Sequence, residues 1–389
     1  MSDAIPYARQ QISDADIQAV VDVLRSDFLT QGPEVPAFES AVAAYCGAAH
    51  AVAVNSATSA LHVACLALGV GPGDRVWTSP ITFVASANCA LYCGAAIDFV
   101  DIDPHTYGLS VERLAEKLER AQQANVLPRA VIAVHLAGQP CDMGGIHALS
   151  RQFGFRVIED ASHAIGGRYK GQPIGCGRYS DVTVFSFHPV KIMTTGEGGI
   201  VVTNDAAIAR AMQRLRSHGI TRDAAEMAGP SPGAWYYEQV DLGFNYRMTD
   251  IQAALGRSQL RQVDTFVGRR HAIARRYDDA FQTLPVITPW QHPDSYSAYH
   301  LYVLRLKLAE LRCTRNETFD RLRAAGIGVN VHYIPVYRQP YHAARHPDPA
   351  AFPEAERYYA DAISLPMYPA LTDRQQARVI DEVRQVCAA

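Results

Sequence analysis

The sequence predicts an α/β fold: a seven-stranded, mixed but mostly parallel sheet covered by helices, followed by a smaller C-terminal α+β domain. Three observations lead there. From His50 onward, short β-branched runs alternate with helical patterns, as in right-handed βαβ units. Between Asp181 and Asn204 two strand-like runs flank a Gly-rich turn, so one strand turns back against its neighbour. After Pro285 the regular alternation stops. The boundary falls near residue 255, giving a large domain over 1–255 and a small one over 256–389 that includes a connector helix.

Taken in order, Ser13-Asp14-Ala15-Asp16 opens an amphipathic helix with Ile17, Val20, Val21 and Leu24 as its apolar stripe. The loop Phe28-Leu29-Thr30-Gln31-Gly32-Pro33 leads to a helix over 35–45. Strands are expected at 51–55, 75–78, 97–102, 130–135 and 156–159, with helices over 59–68, 85–92, 111–123 and 145–153 between them. Residues 160–180 are Gly-rich with no helical pattern, and 181–187 with 200–204 read as a hairpin. A helix over 205–217 precedes an irregular loop over 221–239. Thr249-Asp250 then opens one long helix running towards Phe281. In the small domain 298–306 and 328–333 are strand-like and 316–324 and 373–386 helical, the last opened by a Thr372/Gln375 capping box.

A chain of 389 residues, 48% hydrophobic, can bury a large core. A net charge of −3 gives no reason to expect nucleic acid or an anionic membrane as partner. The first eleven residues lack the basic and apolar regions of a secretory signal, and the most apolar windows are too short or interrupted to span a bilayer. Eight cysteines without a CxxC pair indicate free thiols in a reducing compartment, so a cytoplasmic location is expected. His135, His163 and His188 have neither an HExxH pattern nor cysteine companions, so no metal is expected. No GxGxxG follows the first strand, which disfavours a dinucleotide site.

Chemistry concentrates at the carboxyl ends of the strands, where open α/β sheets bind ligands. Lys191 leaves the strand ending at Ser186-Phe187, flanked by apolar residues. A lysine so placed has a lowered pKa and can form a Schiff base with a carbonyl. Asp160 closes another strand and needs a polar partner there, such as a protonated pyridine nitrogen. Ala57, Thr58 and Ser59 stand at a helix N-terminus, which suits a phosphate or an ordinary N-cap. Phe83 could stack on a flat cofactor or belong to the core. Together these are the parts pyridoxal 5'-phosphate requires.

Thr82-Phe83-Val84-Ala85-Ser86, Glu159-Asp160-Ala161-Ser162-His163, Ser186 through Lys191, Glu197-Gly198-Gly199 and Gly243 through Asp250 resemble the DegT-type sugar-nucleotide aminotransferases, fold type I pyridoxal-phosphate enzymes. The resemblance spans nearly the whole chain. Ala57, where many relatives have glycine, and His163, where many have glutamine, resemble the pseudaminic-acid pathway subgroup, as does Asn330-Val331-His332-Tyr333-Ile334-Pro335.

The resemblance implies that Lys191 holds the cofactor as a Schiff base and shuttles the proton, while Asp160 keeps the ring nitrogen protonated. It implies that Phe83 and His163 sandwich the ring, and that Ala57, Thr58 and Ser186 bind the phosphate. Asn245 would reach in from the second subunit of a homodimer. Thr30, His332 and Tyr333 are candidates for the sugar nucleotide. The implied ping-pong reaction aminates the 4-keto group of UDP-2-acetamido-2,6-dideoxy-β-L-arabino-hex-4-ulose with L-glutamate as donor. Alternatives are a dTDP- or GDP-linked ketosugar, or a cofactor-binding regulator without catalysis. A dehydratase of the same family carries histidine at the lysine position, and Lys191 argues against it.

Overall fold

The computed structural model describes residues 4–344 and 348–388. The strands of the main sheet are β1 (His50–Val54), β2 (Arg75–Thr78), β3 (Ala96–Phe99), β4 (Ala130–Val134), β5 (Arg156–Asp160), β6 (Val182–Ser186) and β7 (Gly199–Thr203). Their spatial order is β1-β7-β6-β5-β4-β2-β3. β7 pairs antiparallel with both β1 and β6, and the other pairings are parallel. The expected seven strands and the single reversal are therefore present.

β4, Ala-Val-Ile-Ala-Val, is buried along its whole length, as a central strand covered on both faces must be. On one face pack α3 (Ala57–Ala67), α4 (Ala85–Tyr92) and α7 (Ala206–Leu215), burying Leu61, Val63, Ala87 and Met212. On the other pack α2 (Glu34–Cys46), α5 (Val111–Gln123), α6 (Met143–Phe153), α8 (Asp250–Leu260) and α9 (Val263–Phe281), burying Phe38, Leu114, Ile146 and Phe266. A third core lies in the C-terminal part. There Val286–Ile287, Tyr302–Leu306 and Ala362–Leu365 form a small antiparallel sheet against the helix Asp373–Ala388.

Three local expectations are corrected. The expected long helix breaks at Arg261-Gln262 into α8 and α9. No glycine or proline marks that break, so no local signal announces it. Residues 328–333 form no strand. Among the described residues their one bridge is from Asn330 to Ser364, while the N-terminal segment crosses at their start and exchanges hydrogen bonds between Ile5 and Gly326 and Gly328. The remaining strand of the small sheet is Ala362–Leu365 instead. In α1 (Asp14–Leu24) the stripe is rotated: Ile17 and Leu24 are exposed and Asp16 and Val23 are buried. Asp16 accepts hydrogen bonds from Ser13 and from Gln259 of α8, so a polar contact sets the inward face.

No helix among the described residues is long and apolar enough to cross a membrane. One tie reaches across the large fold: buried Asp250, at the start of α8, accepts the Gly32 amide at 2.6 Å and the Val35 amide at 2.9 Å. Gly32 has no room for a side chain, since a Cβ would lie 2.4 Å from the Asp250 carboxylate. Replacing Asp250 with Ala strands one buried amide, that of Val35, and one half-buried amide, that of Gly32. Urea unfolding should register a loss of about 3 kcal/mol.

Candidate active site

Because β5 and β6 run parallel, Asp160 and Ser186 emerge at the same edge of the sheet, beside the turn that leaves β1. β7 enters at that edge, and its first residue, Gly199, pairs with both Val54 and Ser186. A Cβ on Gly199 would lie 2.5 Å from the Ala57 nitrogen. Only glycine lets the Ser56–Ala57 turn approach the reversed strand this closely.

The result is a cavity of about 590 Å³. Its lining includes Ala57, Thr58, Phe83, Asp160, His163, Ser186, Lys191, His332 and Tyr333, nine of the eleven residues singled out from the sequence. The other two, Thr30 and Asn245, are exposed and line no part of it within one chain.

Lys191 is half-buried in the tight turn after β6, its amide bonded to the His188 carbonyl at 2.9 Å. Its amine makes no hydrogen bond or ion pair with the described residues. Burial pushes it down to about 8, with the Asp160 charge opposing the shift. Asp160 is buried and fully engaged. Its Oδ1 accepts from the Ser162 amide at 3.1 Å and hydroxyl at 2.6 Å, and its Oδ2 from the Ser86 hydroxyl at 2.6 Å.

α3 points its N-terminus at the cavity. Ser56 caps it by accepting the Ser59 amide at 3.1 Å, which leaves the hydroxyls of Thr58 and Ser186 without a partner among the described residues. Those hydroxyls, the helix dipole and the close Ser56–Ala57 turn suit a phosphate group. An unpaired amine, a buried carboxylate and that cradle in one cavity fit pyridoxal phosphate.

His163 accepts the Ala137 amide on Nδ1 at 3.2 Å, so its ring proton lies on Nε2, 3.2 Å from the Tyr333 hydroxyl. Behind it stands His300, ring centroids 4.3 Å apart. Phe83 is exposed at the mouth, 6.2 Å from the Tyr333 ring. His332 bonds Ser364 through Nδ1 at 2.8 Å. Burial, then the Lys191 charge, pushes His332 down to about 4, and the same two causes hold His163 well below the usual imidazole range. His300 is lowered by burial and by His163. His135 lies apart from the cavity, its Nε2 2.8 Å from Glu159 Oε2.

Sequence reasoning missed Tyr7, Ser86, Ser162, His300 and Asn330, all in the lining. Ser86, Ser162 and Asn330 stand inside motifs quoted above and could have been found as polar groups one helical turn or two residues from a known position. Tyr7 and His300 carry no such signal.

The DegT/DnrJ/EryC1/StrS aminotransferase family model matches residues 10–384. The spore coat polysaccharide biosynthesis protein SpsC of Bacillus subtilis is 42% identical over 387 residues, covering 98% of this chain and 97% of that protein. Helicobacter pylori PseC, described as an aminotransferase of pseudoaminic acid biosynthesis, superposes with a TM-score of 0.90 at 29% identity, covering 99% of both chains. A putative sugar aminotransferase of Streptococcus pneumoniae, Spr1654 in its PMP-form, gives 0.88 at 32% identity over 99% of both chains. The architecture is that of the fold type I transferases.

The unprotonated imidazoles also predict a pH dependence. Unfolded histidine titrates near 6.5, so below that value the unfolded chain binds protons that His332 in the folded chain refuses. The stability is whole above about pH 6.5 and declines as the pH falls towards 4. His332 alone should account for about 3 kcal/mol across that window. Urea unfolding of the cofactor-free protein at several pH values checks this, and His332→Gln should flatten the profile.

Proposed function

We propose that this chain, which belongs to the DegT/DnrJ/EryC1/StrS aminotransferase family, uses pyridoxal phosphate to move an amino group from L-glutamate to a UDP-linked 4-keto-6-deoxy-N-acetyl sugar, as in pseudaminic acid biosynthesis. The sugar aminotransferase activity follows from the family. The observation that carries its chemistry is the unpaired Lys191 amine sharing one cavity with the oriented Asp160 carboxylate. The particular sugar is supported by the likeness to PseC and by Ala57, His163 and the 330–335 stretch.

Bound pyridoxal phosphate supplies an aldehyde and a protonated ring that accepts the electron pair released at the donor's α-carbon. Lys191, its amine brought near neutrality by burial, serves as nucleophile and as the base that takes and returns the substrate proton at Nζ. Asp160 would hold the ring nitrogen protonated, and Thr58, Ser186 and the first amides of α3 would hold the phosphate. His163 and Phe83 would flank the ring, and His332 and Tyr333 would contact the sugar nucleotide.

Among the described residues no arginine lines the cavity, and in this reading a second subunit adds to it. The partner subunit's Asn245 fills part of that role in this reading. Exposed Phe28, Leu29, Trp235 and Leu242 provide apolar surface for a second copy to cover.

Lys191→Ala should abolish turnover, a loss of at least 10³-fold, together with the yellow colour of the bound cofactor. Full activity in that variant would sink the assignment. A panel of UDP-, dTDP- and GDP-linked ketosugars, incubated with glutamate and analysed by mass spectrometry and NMR, tests the substrate. Amination of only a dTDP- or GDP-linked sugar overturns the UDP reading, and no conversion of glutamate to 2-oxoglutarate with any of them favours a regulator.

A further inference from the structure

Asp160 holds its two carboxylate oxygens in unlike ways. Oδ1 is tied locally, by the amide and hydroxyl of Ser162 in its own loop. Oδ2 has one partner among the described residues, the hydroxyl of Ser86, 74 residues away in the first turn of α4. Ser86 is fully buried and also lies 2.8 Å from the hydroxyl of Thr82, itself buried.

The direction of these bonds can be deduced. A hydroxyl has one hydrogen, and a carboxylate only accepts. Ser86 therefore spends its hydrogen on Asp160, and Thr82 must be the donor to Ser86. The relay runs one way, from Thr82 to Ser86 to Asp160, and each donor polarises the next.

We propose that Ser86, backed by Thr82, is a positioning residue for amino transfer: its hydroxyl fixes the rotation of the Asp160 carboxylate that presents it to the ring nitrogen of pyridoxal phosphate. The proposal rests on the cofactor reading above. Without Ser86 the carboxylate is pinned at one oxygen only, by a residue of its own loop. Its buried Oδ2 then lacks a donor, and the unpaired Lys191 amine in the same cavity is a cation able to satisfy it. Such an ion pair would engage the two groups whose separate availability the site requires.

A double-mutant cycle on pyridoxal phosphate affinity, measured by equilibrium dialysis with the cofactor-free protein, tests this. Ser86→Ala should weaken binding about tenfold, the worth of one charge-assisted hydrogen bond. In an Asp160→Asn background the same change should alter binding less than twofold, because the group being positioned has gone. Thr82→Val should cost about threefold alone and nothing more when Ser86 is already Ala. Equal losses with and without Asp160 would mark Ser86 as a packing residue and overturn the proposal, as would unchanged affinity in Ser86→Ala. Should Ser86→Ala fail to fold, Thr82→Val carries the test, and its loss must vanish in the Asp160→Asn background. A wild-type chain that takes up no pyridoxal phosphate overturns the cofactor reading itself and this proposal with it.

Discussion

The site depends on keeping one amine and one carboxylate in the same partly dry cavity without letting them pair. Burial alone would drive them together, since each is the other's best available counter-charge. The fold prevents this by satisfying Asp160 elsewhere, with hydroxyls from Ser86 and Ser162 and the Ser162 amide. Lys191 is left without a partner among the described residues, and its amine is brought near neutrality by the desolvation it has not offset. The neighbouring imidazoles of His163, His300 and His332 are kept unprotonated by the same burial, so they add polarity without competing charge.

Sheet topology delivers these groups to one place. Parallel strands bring Asp160 and Ser186 out at a common edge, and the reversed β7 starts there, against the turn that opens α3. Gly199 pairs with both β1 and β6 against the Ser56–Ala57 turn, and its missing side chain is what permits the contact. The reversal thus places the N-terminus of α3 beside the lysine turn, as well as closing the sheet.

Much of this was legible in the sequence because strand spacing and the rule about carboxyl ends act together. Lys191, Asp160, Thr58 and Ser186 could be placed from those two facts. What stayed hidden depends on partners far along the chain. Ser86 matters through a carboxylate 74 residues away, and α1 turns inward on Asp16 because Gln259 meets it there. Residues 328–333 have a strand's composition, yet the N-terminal segment takes the hydrogen bonds beside them. The break at Arg261-Gln262 has no local cause in glycine or proline. Periodicity records which residues want burial and carries no information on which neighbour will provide it.

The bond between Tyr333 and His163 spans 170 residues, and Tyr7 lines the same cavity as both. A chain made from its N-terminus on the ribosome therefore has its lysine, its aspartate and the N-terminus of α3 long before it has a wall to enclose them. The sheet can assemble early, but the cavity stays open on one side until residues beyond 333 have cleared the exit tunnel. Capture of the cofactor in its finished enclosure is consequently a late event in the life of the nascent chain.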